Sequence, residues 1–135
     1  MKKTSRRQFI GNSAIVAAAG TTIFATNQKA KELKNIFVHH VYFWLNNADS
    51  KTDLDKLVEG LTKLSKVKTI QQFHIGKPAD TNRNVVEKGY SISWLALFDN
   101  GADQESYQKD PIHLKFVEDY SSLWEKVVVY DSIDV

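Results

Sequence analysis

The segment Ser106-Tyr-Gln-Lys-Asp-Pro-Ile-His-Leu-Lys-Phe116 sets a phenol and an imidazole on either side of a helix break. Asp110 reads as an N-cap and Pro111 as the first helical residue after it. His113 then falls in the first turn, at the head of a stripe of Phe116, Val117, Tyr120 and Trp124 with helical spacing. At a helix N-terminus the dipole disfavours an imidazolium, and burial acts in the same direction, while Asp110 opposes both. A neutral His113 is suited to act as a general base, and the Tyr107 hydroxyl to donate to a carbonyl or enolate oxygen. The alternative is packing: a core histidine bonded to backbone or to Tyr107, and a buried ring whose hydroxyl finds a structural partner.

Three more histidines are present, His39, His40 and His74, and no cysteine. Thiolate chemistry and cysteine metal sites are therefore excluded. His39 and His40 are adjacent on an extended run, so they point to opposite faces and cannot share one metal ion. No HExxH pattern and no Asp/Glu cluster at ligand spacing accompanies the histidines, so neither a metal nor a cofactor is implied. Trp44, Trp94 and Trp124, with Tyr42 and Phe116, suit either a core or the walls of an aromatic pocket.

These groups need elements to position them. Ile36 to Leu45, apolar and aromatic, reads as a strand covered on both faces. Asn46 to Ser50 is a turn, and Ser50 with Asp53 suggests a capping box. Leu54, Leu57, Val58, Leu61 and Leu64 then recur at helical spacing, giving a helix to about Val67. Thr69 to Ile75 alternates as a second strand, and Lys77 to Gly89 is a polar loop. Tyr90 to Phe98 is a third strand, with Tyr90, Ile92, Trp94, Ala96 and Phe98 on one face. After Asp99-Asn100-Gly101 come a short helix, Ala102 to Lys109, and a longer one, Pro111 to about Glu125. Val127 to Ile133 is the last strand. The order β-α-β-β-α-β closes as an α+β, ferredoxin-like sandwich with helices on one face of an antiparallel sheet. The uncovered face should carry Phe37, Val41, Phe43, Leu45, Leu95 and Leu97. A patch of that kind is covered economically by a second copy, a homodimer.

The first thirty residues contain no acid and run from Lys2-Lys-Thr-Ser-Arg-Arg-Gln-Phe-Ile10 through a mildly apolar stretch to Ala25. The order resembles a twin-arginine export signal over residues 1–30, with cleavage after Ala25 or Ala30. The run is too short and too rich in Gly, Ser and Thr for a membrane span. It implies a periplasmic or otherwise exported protein that meets a membrane only through its signal. Residues 31–135 hold thirteen Lys and Arg against sixteen Asp and Glu, a formal −3, so no basic patch argues for nucleic acid.

From about Asn35 to Val135 the chain resembles the stress-responsive dimeric α/β-barrel, or Dabb, family. Three segments carry the likeness: Val38-His39-His40-Val41-Tyr42-Phe43-Trp44-Leu45; Gly89-Tyr90 before the third strand; and Tyr107 through His113 to Phe116, followed by Trp124-Glu-Lys-Val-Val-Val-Tyr-Asp131. The resemblance implies a homodimer and an apolar cavity between sheet and helices. One plant branch looks like polyketide cyclases, in which a histidine base and an orienting tyrosine match His113 and Tyr107. Its third-strand histidine is Ile92 here. The resemblance places His40, with Tyr42 and Trp44, on the cavity side and His39 on the dimer side. It implies a small hydrophobic or aromatic ligand bound by His40, Tyr42, Trp44, Trp94, Phe116 and Trp124, with acid–base chemistry next to a carbonyl. Two other readings are a stress-related structural dimer without a ligand, and haem handling or cofactor-free oxygenation.

Overall fold

The computed structural model describes residues 29–135, and the fold is built from Lys34 to Val135. The export-type signal at 1–30 lies outside the described residues except for its last two. Among the described residues no helix is long and apolar enough to cross a membrane.

The elements are β1 (Phe37–Leu45), α1 (Lys51–Leu64), β2 (Gln72–Gly76), β3 (Ile92–Phe98), α2 (Gly101–Lys109), α3 (Pro111–Tyr120), a 3₁₀ turn (Ser121–Leu123) and β4 (Trp124–Ile133). The four strands form one antiparallel sheet in the order β2-β3-β1-β4. This is the ferredoxin-like α+β architecture that the element order implies. The local signals act as expected. Ser50 Oγ accepts from Asp53 N–H to start α1, Asn100 does the same for α2, and Asp110 accepts from Ile112 N–H ahead of Pro111 in α3.

Three boundaries differ from expectation. The third strand, β3, starts at Ile92, leaving Tyr90 outside the strand and packed on Tyr42 and Trp44 of the helix-free face. The last helix ends at Tyr120, so Trp124 belongs to β4 and does not continue the α3 stripe. The chain is pinned here: Asn46 N–H donates to Leu123 O at 2.9 Å, and Asn46 Nδ2 donates to Ser122 O at 2.8 Å. Trp124 is thereby set against Leu45, and the β-branched run Val127-Val-Val129 extends the strand. The second strand starts at Gln72, because Ile70 N–H bonds back to Val67 O in a turn after α1.

The larger correction concerns faces. In β1 it is His39, Val41, Phe43 and Leu45 that are buried, packed beneath the helices with Ile92, Trp94, Ala96 and Phe98 of β3. His40, Tyr42 and Trp44 lie on the other, helix-free face with Leu95 and Leu97. The expected placement of Phe37, Val41, Phe43 and Leu45 on the open face is therefore reversed, while that of Leu95 and Leu97 holds. Both faces of β1 are aromatic or apolar, so alternation alone has no contrast with which to orient the strand. Pairing with Trp94 and Ala96 decides it.

The helical layer is fastened by α1 against α3. Leu57, Leu61 and Leu64 are buried, and Gly60 lets the Tyr120 ring lie directly on the helix. The ring cannot retreat, because its hydroxyl donates to Glu59 Oε2 at 2.9 Å and accepts from Lys63 Nζ at 3.0 Å. A Cβ at position 60 would stand 2.7 Å from the ring. We expect Gly60→Ala to destabilise the fold by up to about 2 kcal/mol in urea titrations, an overpacking cost of about 1–3 kcal/mol offset by roughly 1 kcal/mol of helix propensity gained.

Candidate functional site

Beneath the helices, the register of β1 with β4 sets His39 opposite Asp131. His39 Nδ1 and Asp131 Oδ1 are 2.6 Å apart, and His39 is only 3% exposed. A carboxylate only accepts, so Nδ1–H is the donor, and Nε2 is the ring nitrogen turned away from Asp131. The aspartate is the open end of the pair, with its side chain 42% exposed.

Tyr107 reaches the same place from α2. Its ring lies 5.5 Å from that of His39, edge-on, and packs on Phe98 at 5.1 Å. The Tyr107 hydroxyl accepts from Trp94 Nε1–H at 3.2 Å, which leaves its own O–H to donate. Burial holds this phenol far above its ordinary range, opposed by the Trp94 bond and reinforced by Asp131, so it stays protonated. His113, from the first turn of α3, also packs against Tyr107, at 4.7 Å between ring centroids. Burial and then the neighbouring His39 lower the His113 pKa, against the Gln108 backbone and Asp110. Its Nδ1 is buried with no hydrogen-bond partner, so a polar atom is still owed to it.

The expected pair Tyr107 and His113 is thus assembled, with Trp94 holding the phenol. Phe116 and Trp124 lie on the same face but stack on each other and pack, edge-on and tilted, against Phe43, four residues along β1 from His39. His40, Tyr42 and Trp44 do not join the cluster: they are on the opposite face of the sheet, where His40 Nδ1 meets the Tyr42 hydroxyl at 3.2 Å. The strand histidine expected at His40 is His39 in space, because β1 presents its odd-numbered residues to the helices. Asp131 was legible only as part of the terminal segment. Its chemical role needs the β1–β4 register, which one strand's sequence does not contain. Among the described residues no group of three or more His, Asp or Glu is placed to hold a metal ion.

This cluster sits within a recognisable domain. Residues 37–134 match the model of the stress responsive A/B barrel domain, Dabb. The chain belongs to the Dabb family. No curated protein matches it. Among solved structures, a Dabb protein with a ferredoxin-like fold from Mesorhizobium loti is similar at 20% identity and a TM-score of 0.62, covering 74% of this chain and 97% of that one. A hydroxynitrile lyase from Passiflora edulis is similar at 20% identity and a TM-score of 0.62, with coverages of 76% and 96%. A dimeric ferredoxin-like protein of unknown function from Bacteroides fragilis follows at 18% identity and 0.58, with coverages of 76% and 100%. At these identities the likeness is one of fold.

The lowered proton affinities of His113 and His40, the latter through burial and then His74 and His39, have a consequence for stability. Each binds a proton less readily folded than unfolded, so unfolding takes up protons below the ordinary value of 6.5. Their contribution to stability is level above that pH and falls as pH drops below it. Urea midpoints at pH 7.5 and 5.5 should differ less in His113→Gln than in the unaltered protein.

Proposed function

We propose that this Dabb protein is an exported homodimer that performs acid–base chemistry next to a carbonyl on a small hydrophobic or aromatic ligand. The observation that carries the reading is the 2.6 Å His39–Asp131 contact beside Tyr107, against which the His39 and His113 rings both pack. In this reading His39 Nε2 takes the proton from the carbon next to the carbonyl. The electron pair moves to the carbonyl oxygen, and the Tyr107 O–H donates a hydrogen bond to the resulting enolate. The imidazolium formed on His39 faces the Asp131 carboxylate, which stabilises it and holds the ring in the productive tautomer. His113, kept neutral by burial, offers its unpartnered Nδ1 to a second polar atom of the ligand. Protonation of the enolate by His39 completes the cycle.

Access and apolar preference are supported by β4. Val127, Val129 and Ile133 share the face of Asp131, and all three are exposed beside the half-open carboxylate. An apolar ligand entering along this edge would cover them as its polar end meets the cluster. The hydroxynitrile lyase among the fold's neighbours is consistent with lyase-type chemistry on this scaffold. The dimer is supported by the helix-free sheet face, with Leu95 flanked by His40 and His74, and by the dimeric neighbour. Export rests on the Arg6-Arg7 segment of residues 1–30.

The assay is hydrogen–deuterium exchange at the α-carbon of a panel of aryl ketones, followed by NMR in D₂O, beside cleavage of aromatic cyanohydrins. Turnover above buffer is expected, and His39→Gln should lower it by about 10²–10⁴-fold with the fold intact. Tyr107→Phe should lower it by about 10²-fold or more. Exchange equal in His39→Gln and the unaltered protein would remove His39 from the mechanism, and turnover of neither substrate class would favour a structural dimer. For the assembly, light scattering should give twice the chain mass, and Leu95→Arg should halve it.

A further inference from the structure

The helix-free face, which joins the copies in the homodimer proposed above, carries two histidines that the proton-transfer cluster does not use. Their placement follows from register. Leu95 of β3 pairs with His40 of β1 on one side and with His74 of β2 on the other, so the three stand in one row across adjacent strands. Residues directly opposed in an antiparallel sheet share a face. Tyr130 of β4 continues the row beyond His40. Leu95 is thus the apolar centre of the contact, with an imidazole on each side of it.

Nothing paired along these strands neutralises an imidazolium. The positions that share the face with His40 and His74 hold aliphatic, aromatic, hydroxyl and amide side chains. Their one charged group is Lys126, seated on Trp44 with Nζ 4.4 Å from the ring centroid. Glu125 falls in the bulge at the far end of β4 from Tyr130, outside the register. Glu87, on the loop before β3, accepts from Gly89 N–H at 2.7 Å and sits among Trp44, Tyr90 and Tyr130. Asp131 lies on the other face with His39. His40 itself stacks on Tyr42 at 4.5 Å between ring centroids, and its Nδ1 meets the Tyr42 hydroxyl at 3.2 Å. Burial, then the His74 and His39 imidazoles, lowers the proton affinity of His40 within one chain.

A second copy laid on this face brings four imidazoles into one interface and takes water from them. Burying an unpaired charge is costly, and like charges brought together across an interface repel. We propose that the homodimer is an acid-sensitive switch, closing over neutral His40 and His74 and separating when they are protonated. The switch rests on the homodimer reading and is independent of the proton-transfer chemistry. A histidine that binds its proton more weakly in the dimer leaves the dissociation constant level above the ordinary value of 6.5 and raises it as pH falls below. Each proton released on association changes that constant by up to about tenfold per pH unit.

Sedimentation equilibrium of the purified protein over a concentration series gives the dimer dissociation constant at pH 7.5 and pH 5.5, with far-UV circular dichroism recorded on the same samples. The constant should rise at least about tenfold at pH 5.5 with the circular dichroism unchanged. Gln has a polar side chain that takes up no proton, so the double variant His40→Gln, His74→Gln should reduce the ratio to less than about threefold. Where the double variant is monomeric at pH 7.5, the single variants decide, and each should lower the ratio. Equal constants at the two pH values would overturn the switch and leave the dimer standing, whereas a monomer at pH 7.5 would overturn both. A ratio undiminished in the variants, or dissociation accompanied by loss of the circular dichroism signal, would place the acid sensitivity outside these histidines and overturn the switch.

Discussion

The antiparallel register of β1 against β3 and β4 is the constraint from which the rest of this molecule follows. It sets His39 between Ala96 on one side and Asp131 on the other, with Val41 between Trp94 and Val129. A slip of one residue would turn His39 outward and carry His40 into the core. The small Ala96 leaves room for α2 to bring Tyr107 down onto His39 and Phe98, and the Asp110–Pro111 break re-aims the chain so that His113 returns to the same ring. The cluster is thus made by three local events: a strand register, a helix contact and a capped break.

Much of this was legible in the sequence, and the limits are physical. The helix starts were readable because Ser50, Asn100 and Asp110 are short polar side chains that bind the first free backbone N–H groups. Tyr107 and His113 were readable because their spacing across Pro111 forces both toward one interior. The orientation of β1 was not, since Tyr42, Phe43 and Trp44 are equally suited to burial on either side. Asp131 carries no mark of its own in the terminal segment, and only pairing across the sheet gives it a histidine. Trp124 was misread as helical because its spacing from Tyr120 continues the α3 stripe, whereas the bonds from Asn46 to Ser122 and Leu123 end the helix before it.

The two faces of the sheet are chemically unlike. Under the helices, polar groups are few, buried and mutually engaged, so each protonation state depends on its neighbours. Tyr107 is 1% exposed and remains a phenol, His113 loses proton affinity to burial, and Asp131 joins the pair to solvent at the sheet edge. On the helix-free face the same strand presents His40, Tyr42 and Trp44 to a more open aromatic surface, ending at Glu87 and Tyr90. Alternation along a single central strand therefore separates a buried histidine–tyrosine cluster from an aromatic surface.

The central claim is that the Asp131 carboxylate accepts a hydrogen bond from His39 Nδ1–H and so fixes which ring nitrogen faces the sheet edge. Long-range ¹H–¹⁵N correlation spectra of uniformly labelled protein at neutral pH read the proton on Nδ1 directly. The account predicts a protonated, slowly exchanging Nδ1–H for His39 that disappears in Asp131→Asn while the backbone spectrum is retained. A His39 protonated on Nε2 alone, or one whose spectrum is indifferent to Asp131, would contradict it.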